Sequence, residues 1–277
     1  MLFSLKGDSS MKRILTLLVL TLFLTVPIGQ ALAADSLTCW FPPGWKNKAE
    51  QARTIAKALS EGSGVQVRPR IARSYPEILT AFSSGDANLV YVGSFVQAII
   101  RARNLGKPLA QAITGQEFYS GVLVYPKGQD PASILKNSPT EIAFAKGASS
   151  GESSAKAATV GKAAIGVPNH GAACGAVKAG KAKAAVVKNW WWQANQQKFP
   201  ELAMYEIPGI SKQGNPDNVL TASNGVSSAE RKKLAAAAMQ NPKAFGAQKM
   251  SAFDGSALHF SLNLMAKGNI DPQSYSW

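Results

Sequence analysis

The chain has 277 residues, 46% of them hydrophobic and 17% charged, and 30 lysines and arginines against 16 acids give a formal charge of +14. That length suits one large domain or two modest ones, and the charge favours anionic ligands or surfaces. The basic residues form no long block and no basic-aromatic motif, which argues against a nucleic-acid partner. Cys39 and Cys174 are the only cysteines.

Residues 1–33 read as a signal peptide. Lys12-Arg13 precede an almost wholly apolar run from Ile14 to Ile28, and Ala31-Leu32-Ala33 supplies the small-residue cleavage site. The run is short for a membrane span and contains Pro27. Met11 is the better start for this pattern, and the mature chain is expected to begin at Ala34 or Asp35.

Leu37 to Phe41 reads as a strand that ends in Pro42-Pro43-Gly44. Ala49, Ala52, Ile55, Ala56 and Leu59 fall at helical spacing, with Gly62 as the stop. Val65 to Ile71 returns as a strand, and Pro76 opens a second helix. Asn88 to Val92 is a continuous apolar strand of the doubly covered type, turned by Gly93-Ser94 into a third helix. Ala110 to Thr114 and Gly121 to Tyr125 are further strands. The alternation predicts a parallel sheet with ligands at the carboxyl ends of its strands.

The second half repeats the rhythm. A short helix covers Ala132 to Leu135, and Glu141 to Ala145 is a short buried strand. Ala148 to Ser154 is a turn of small hydroxyl residues, and the stretch Ala155 to Ala164 is rich in helix formers. Pro168-Asn169-His170 opens another helix, Ala184 to Val187 and Leu202 to Ile207 are strands, and Val219 to Ala222 leads back out. Ser227 and Glu230 form a capping box for a helix through Met239. A strand, a serine turn and a helix make an anion cradle, because the first N–H groups of the helix are free and its dipole favours negative charge. On these residues alone, simple capping is the commoner role for such a serine.

Taken in order, several segments resemble the periplasmic solute-binding proteins of phosphate, phosphite and phosphonate ABC importers. They are Tyr75 to Gly85 running into Asn88 to Gly93, Tyr119-Ser120-Gly121-Val122-Leu123-Val124, Ala148-Ser149-Ser150-Gly151, and Asn169-His170 through Gly180. The resemblance implies an α/β protein of two doubly wound lobes, joined by two crossover segments around a ligand cleft. Lobe 1 would comprise residues 34–124, lobe 2 residues 125–210, and residues 211–277 the return crossover and the rest of lobe 1. It further implies a monomeric periplasmic protein without cofactor or catalysis, which passes a small oxyanion to a membrane permease.

The resemblance also turns the serine turn from cap to ligand contact. Carried over residue by residue, it assigns Tyr75, Ser149, Ser150 and His170 to the ligand, with Gly151 allowing close backbone approach. Gly93 and Ser94 would form the facing helix start, Ser94 replacing the usual proline, and Tyr119 would lie at the hinge and line the cleft. Asn88 and Lys183 stand where the family often has aspartates, which argues against an aminoalkyl phosphonate, since its ammonium would want a carboxylate. Placing Cys39 and Cys174 in different lobes implies two unpaired thiols, because a disulfide would staple the cleft.

His170 and Cys174 share a helix face, but no third metal ligand stands nearby. The run Trp190-Trp191-Trp192 either supplies a ring to the cleft, through Trp190, or packs beneath the lobe. Of Trp40, Phe41 and Trp45, Trp45 is the one expected to reach the ligand. Two rival functions remain: a sensor that signals to a membrane receptor, and a hydrolase using Ser149 or Ser150 with His170. The latter lacks both a G-x-S-x-G elbow and an orienting acid.

Overall fold

The structure is a computed structural model that describes Met1 and residues 36–277, so the expected signal peptide lies outside the described residues. The first lobe opens with β1 (Leu37–Phe41), α1 (Ala49–Ser63), β2 (Val67–Ile71), α2 (Tyr75–Ser83), β3 (Asn88–Val92), α3 (Ser94–Ala102) and β4 (Gly106–Ile113). Helix α1 runs past Gly62 to a left-handed cap at Gly64, φ 71°. A Cβ at Gly62 would come within 2.8 Å of Ala237 Cβ, so this glycine admits a neighbouring helix rather than ending its own.

The chain then crosses through β5 (Phe118–Tyr119) into β6 (Gly121–Pro126), α4 (Pro131–Asn137), β7 (Ile142–Ala145), α5 (Ser150–Ala158), β8 (Ile165–Val167), α6 (His170–Lys178), β9 (Ala184–Lys188), α7 (Asn189–Asn195) and β10 (Leu202–Tyr205). It returns through β11 (Asn215–Pro216) to β12 (Val219–Ser223), α8 (Ser228–Gln240), β13 (Lys249–Ala252) and α9 (His259–Lys267). Helix α5 stops well before Ala164. The Thr159 hydroxyl donates to Ala155 O and accepts from Ala163 N, each at 2.8 Å, and Val160 takes φ 51°. That turn frees residues 165–167 to form β8, a strand the helix-rich composition conceals.

The described residues form two large sheets, of order β13-β4-β12-β3-β1-β2 and β10-β6-β9-β7-β8, and a two-stranded ribbon of β11 and β5. Neither large sheet is wholly parallel as the alternation predicted. Strand β12 runs antiparallel to both β3 and β4, and β6 antiparallel to β9. The return segment must traverse the first sheet from the hinge side, which reverses its direction. Strand β6 lies entirely in the second sheet, so the chain changes lobes before the boundary expected at Val124. The two crossovers pair as a ribbon, Tyr119 opposite Asn215 and Phe118 opposite Pro216.

Each sheet is buried on both faces. In the first lobe Phe41, Leu89 and Tyr91 pack toward α1 and α8, while Val90, Val92 and Ile99 pack on the opposite face. In the second, Leu123, Phe144 and Val186 face α5, and Val122, Ala143 and Val187 face α6, which contributes Cys174 to that cluster. Each valine, leucine, isoleucine or phenylalanine among them contributes about 1.5–3 kcal/mol on burial. Ser227 and Glu230 form the expected capping box on α8. Both cysteines are free and buried, Cys39 in one lobe and Cys174 in the other, and burial pushes the Cys174 thiol up to about 12.

The end of the chain departs from expectation, for it fastens both lobes rather than completing lobe 1 alone. On α9, Leu264 joins the core of lobe 2 and the adjacent Met265 that of lobe 1. Beyond it, Arg103 donates to Pro272 O and Tyr275 O at 2.9 and 2.8 Å, anchoring the segment to lobe 1. The Tyr275 hydroxyl donates to the buried Glu152 carboxylate of lobe 2 at 3.0 Å, and Trp277 Nε1 to Gly147 O at 3.2 Å. Burial first, and then the Glu152 charge, raise the Tyr275 pKa. A hydrogen bond to a charged group is worth about 1.5–3 kcal/mol. Tyr275→Phe should therefore lower unfolding free energy by about 2 kcal/mol, measured by urea denaturation.

Candidate functional site

A cavity of about 750 Å³ lies between the lobes, at the ends of their strands. Lobe 1 supplies Trp45, from the turn before α1, Tyr75 at the start of α2, and Tyr91 and Gly93 at the end of β3. Lobe 2 supplies Lys146 and Ala148 after β7, Asn169 and His170 at the start of α6, and Lys188 and Trp190 at the end of β9. The return crossover adds Asp217 and Asn218. Strand ends carry ligands in such sheets because the following turns converge there. Five of the expected contacts thus meet in one cavity: Trp45, Tyr75, Gly93, His170 and Trp190.

Ser94, Tyr119, Ser149, Ser150 and Gly151, also expected at the ligand, are not among the residues that line it. All five are buried. The Tyr119 hydroxyl lies 2.8 Å from Ser94 Oγ and accepts from Ser150 Oγ at 2.9 Å and Ser150 N at 3.3 Å. Ser149 Oγ caps Gly151 N at 3.2 Å. The donors at the start of α5 are thus used by the chain itself, and the cradle holds a phenol. Gly151 does permit a close approach, but to the Val186 carbonyl, which a Cβ would meet at 3.1 Å. The start of α3 differs, since no side chain caps it at Gly93.

The charge in the cleft sits on residues that local pattern did not single out. Lys188 Nζ pairs with Asp217 Oδ1 at 2.9 Å, joining lobe 2 to the crossover, and lies 4.3 Å from the Tyr119 ring centroid. Burial opposes the lysine charge, yet Asp217 and the Tyr119 phenol more than offset it, and the Lys188 pKa is raised. Burial, with Lys188 nearby, lowers His170 to about 3, so its imidazole is neutral. Ser149 Oγ lies 3.5 Å from His170 Nε2, and His170 Nδ1 is buried without a partner. A serine that serves as a cap, beside a histidine with no orienting acid, is no nucleophile and base.

The tryptophan run divides by residue. Trp192 is buried against Phe199, Trp191 lies 5.5 Å from the His170 ring, and Trp190 is 41% exposed in the cleft. Trp40 instead donates to Asn88 Oδ1 at 2.9 Å within the core. Asn88 is therefore structural and Lys183 is exposed outside the cleft lining, so neither position bears on a ligand ammonium. Asp217 is the carboxylate that does reach the cavity. Lys188 could have been found as the charge ending the apolar strand Ala184 to Val187. Asp217 follows Pro216 in a crossover with no periodicity to mark it.

Two hinged α/β lobes with a charged cleft between them define a type II periplasmic binding protein. Residues 46–252 match the family described as ABC transporter, phosphonate, periplasmic substrate-binding protein, and the chain belongs to that family. It is a transport component rather than an enzyme, and captures a solute for an ABC permease. The fold is similar to XAC2383 from Xanthomonas citri bound to ATP, with TM-score 0.67 and 12% identity over 84% of this chain and 97% of that one. It is also similar to PhnD1 from Prochlorococcus marinus in complex with methylphosphonate, with TM-score 0.62 and 16% identity over 85% and 99%. A binding-protein component of a Pseudomonas aeruginosa ABC phosphonate transporter gives TM-score 0.63 and 16% identity over 84% and 86%. No curated protein matched the sequence.

Two substitutions separate the roles assigned above. Ser150→Ala removes one donor to Tyr119 and should cost about 1 kcal/mol of stability, while calorimetric titration finds anion affinity within threefold of the parent. Asp217→Asn leaves Lys188 buried and unpaired. It should lower stability without ligand by about 3 kcal/mol, and thermal melts should show an anionic ligand restoring most of that loss.

Proposed function

We propose that the captured solute is a phosphonate- or phosphate-like oxyanion, bound between Lys188 and the uncapped start of α3 at Gly93. The observation that carries this reading is the charge lining the cleft, where among the described residues Lys48, Lys146 and Lys188 face one carboxylate, that of Asp217. A dianion completes that balance, and its oxygens need donors. Tyr75, Asn169 and neutral His170 supply uncharged ones, while α3 supplies backbone N–H groups and the positive end of its dipole. The Tyr75 phenol is pushed up to about 12, chiefly by burial, so it stays protonated and donates.

Ser94, Tyr119, Ser149, Ser150 and Gly151 act behind this surface by holding the helix starts in place. The protein would reach the periplasm through the leader in residues 1–33 and work there as a monomer. Thermal-shift titration of the mature chain with phosphate, phosphite, sulfate and methylphosphonate tests the ligand class. A binder raises the melting temperature with concentration through mass action, by about 2.7 kcal/mol of stability at a hundred times Kd. Stabilisation by a neutral or cationic solute and by none of these anions would show that the cleft takes another class.

A further inference from the structure

The cleft is far larger than a phosphonyl head requires. Methylphosphonate has five non-hydrogen atoms, roughly 150 Å³ at the volume share of liquid water, whereas the cavity holds about 750 Å³. The excess space has aromatic walls. On lobe 1, Trp45 stands 5.7 Å from Tyr91, and Tyr91 stands 5.3 Å from Phe245, in edge-to-face contacts that fix these rings. On lobe 2, Trp190 is the only aromatic among the exposed large hydrophobic residues described. Each indole has an ammonium beside it: Lys48 Nζ lies 5.2 Å from the Trp45 ring centroid, and Lys188 Nζ 5.2 Å from that of Trp190.

We infer that the solute carries a planar, aryl-sized body on its phosphonyl or phosphoryl head, held against Trp45 and Trp190 while Lys188 takes the head. This rests on the cleft being the oxyanion site. An anion at Lys188 has its substituent within reach of the Trp190 ring, since ammonium and indole are neighbours. Trp190 offers its exposed indole inside the cavity itself, beside the ammonium that would take the head. An offset stack or edge-to-face contact with the indole favours a planar aromatic body over an aliphatic one. Two ligand sources share this chemistry, arylphosphonates and aryl phosphate monoesters.

Calorimetric titration of the mature chain with methylphosphonate, phenylphosphonate and phenyl phosphate tests the inference. At least one aryl compound should bind ten or more times tighter than methylphosphonate, and the tighter of the two identifies the source. Trp190→Ala should bring the aryl-to-methyl ratio below threefold, and Trp190→Phe should keep it above threefold, with melting curves confirming that both variants fold. Equal or tighter binding of methylphosphonate overturns the aryl body and leaves the oxyanion site standing. An unchanged ratio in Trp190→Ala overturns the role of this indole. Failure of all three compounds while inorganic phosphate or phosphite binds overturns the aryl body alone, and failure of phosphate and phosphite as well overturns the oxyanion reading itself.

Discussion

The hydroxyl of Tyr119 joins the parts on which this structure depends. Its residue belongs to the crossover ribbon, yet its oxygen reaches Ser94 at the start of α3 in lobe 1 and Ser150 at the start of α5 in lobe 2. One buried phenol thereby sets the spacing of two helix starts that belong to different lobes. Burying three hydroxyl groups is tolerable only because each finds a partner in the others. The same ring bears Lys188 on its face at 4.3 Å, so hinge, helix starts and cleft charge share one side chain.

That arrangement explains why the anion reading moves from the serine turn to the lysine. A helix start can receive an anion only if its donors are free. At α5 the Ser149 cap and the Tyr119 phenol have taken them, while at α3 the cap is Gly93 and has no side chain to offer. Lys188 is then the strongest available attraction, held charged by Asp217 despite its burial. The cleft as a whole keeps an excess of ammonium over carboxylate, which draws an anion toward a wall otherwise made of aromatic rings.

Movement of the lobes about the crossovers must also contend with the end of the chain. Tyr275 and Trp277 bond to Glu152 and Gly147 beside the serine turn, and Arg103 ties the same segment to lobe 1. Glu152 in turn accepts from Gly147 N at 2.6 Å, so the segment bears on the turn through two bonds that meet there. Trp277 also stacks on Tyr75 at 5.6 Å, which links it to a cleft residue. Opening the cleft widely requires breaking these contacts or carrying the segment with one lobe.

Much was determined by the sequence alone: the alternation of strands and helices, the fully buried β3, the capping box of α8, the two crossovers and the family. The elements and the cap follow from periodicity, propensity and turn chemistry within a few residues, which act the same way wherever the segment ends up, while the crossovers and the family were implied by the resemblance of ordered segments. Trp45 and Trp190 were legible as cleft residues because strand ends and helix starts converge there, and Tyr75, Gly93 and His170 through the family resemblance. The reversal of β12, the pairing of Lys188 with Asp217 and the hold of Tyr275 on Glu152 were decided only by the tertiary structure. Each joins residues 29 or more apart through burial and directed bonds. Ser149 and Ser150 show the difference most clearly: their local pattern suits a cap more often than an anion, and only the tertiary structure brings to Ser150 a phenol from 31 residues away.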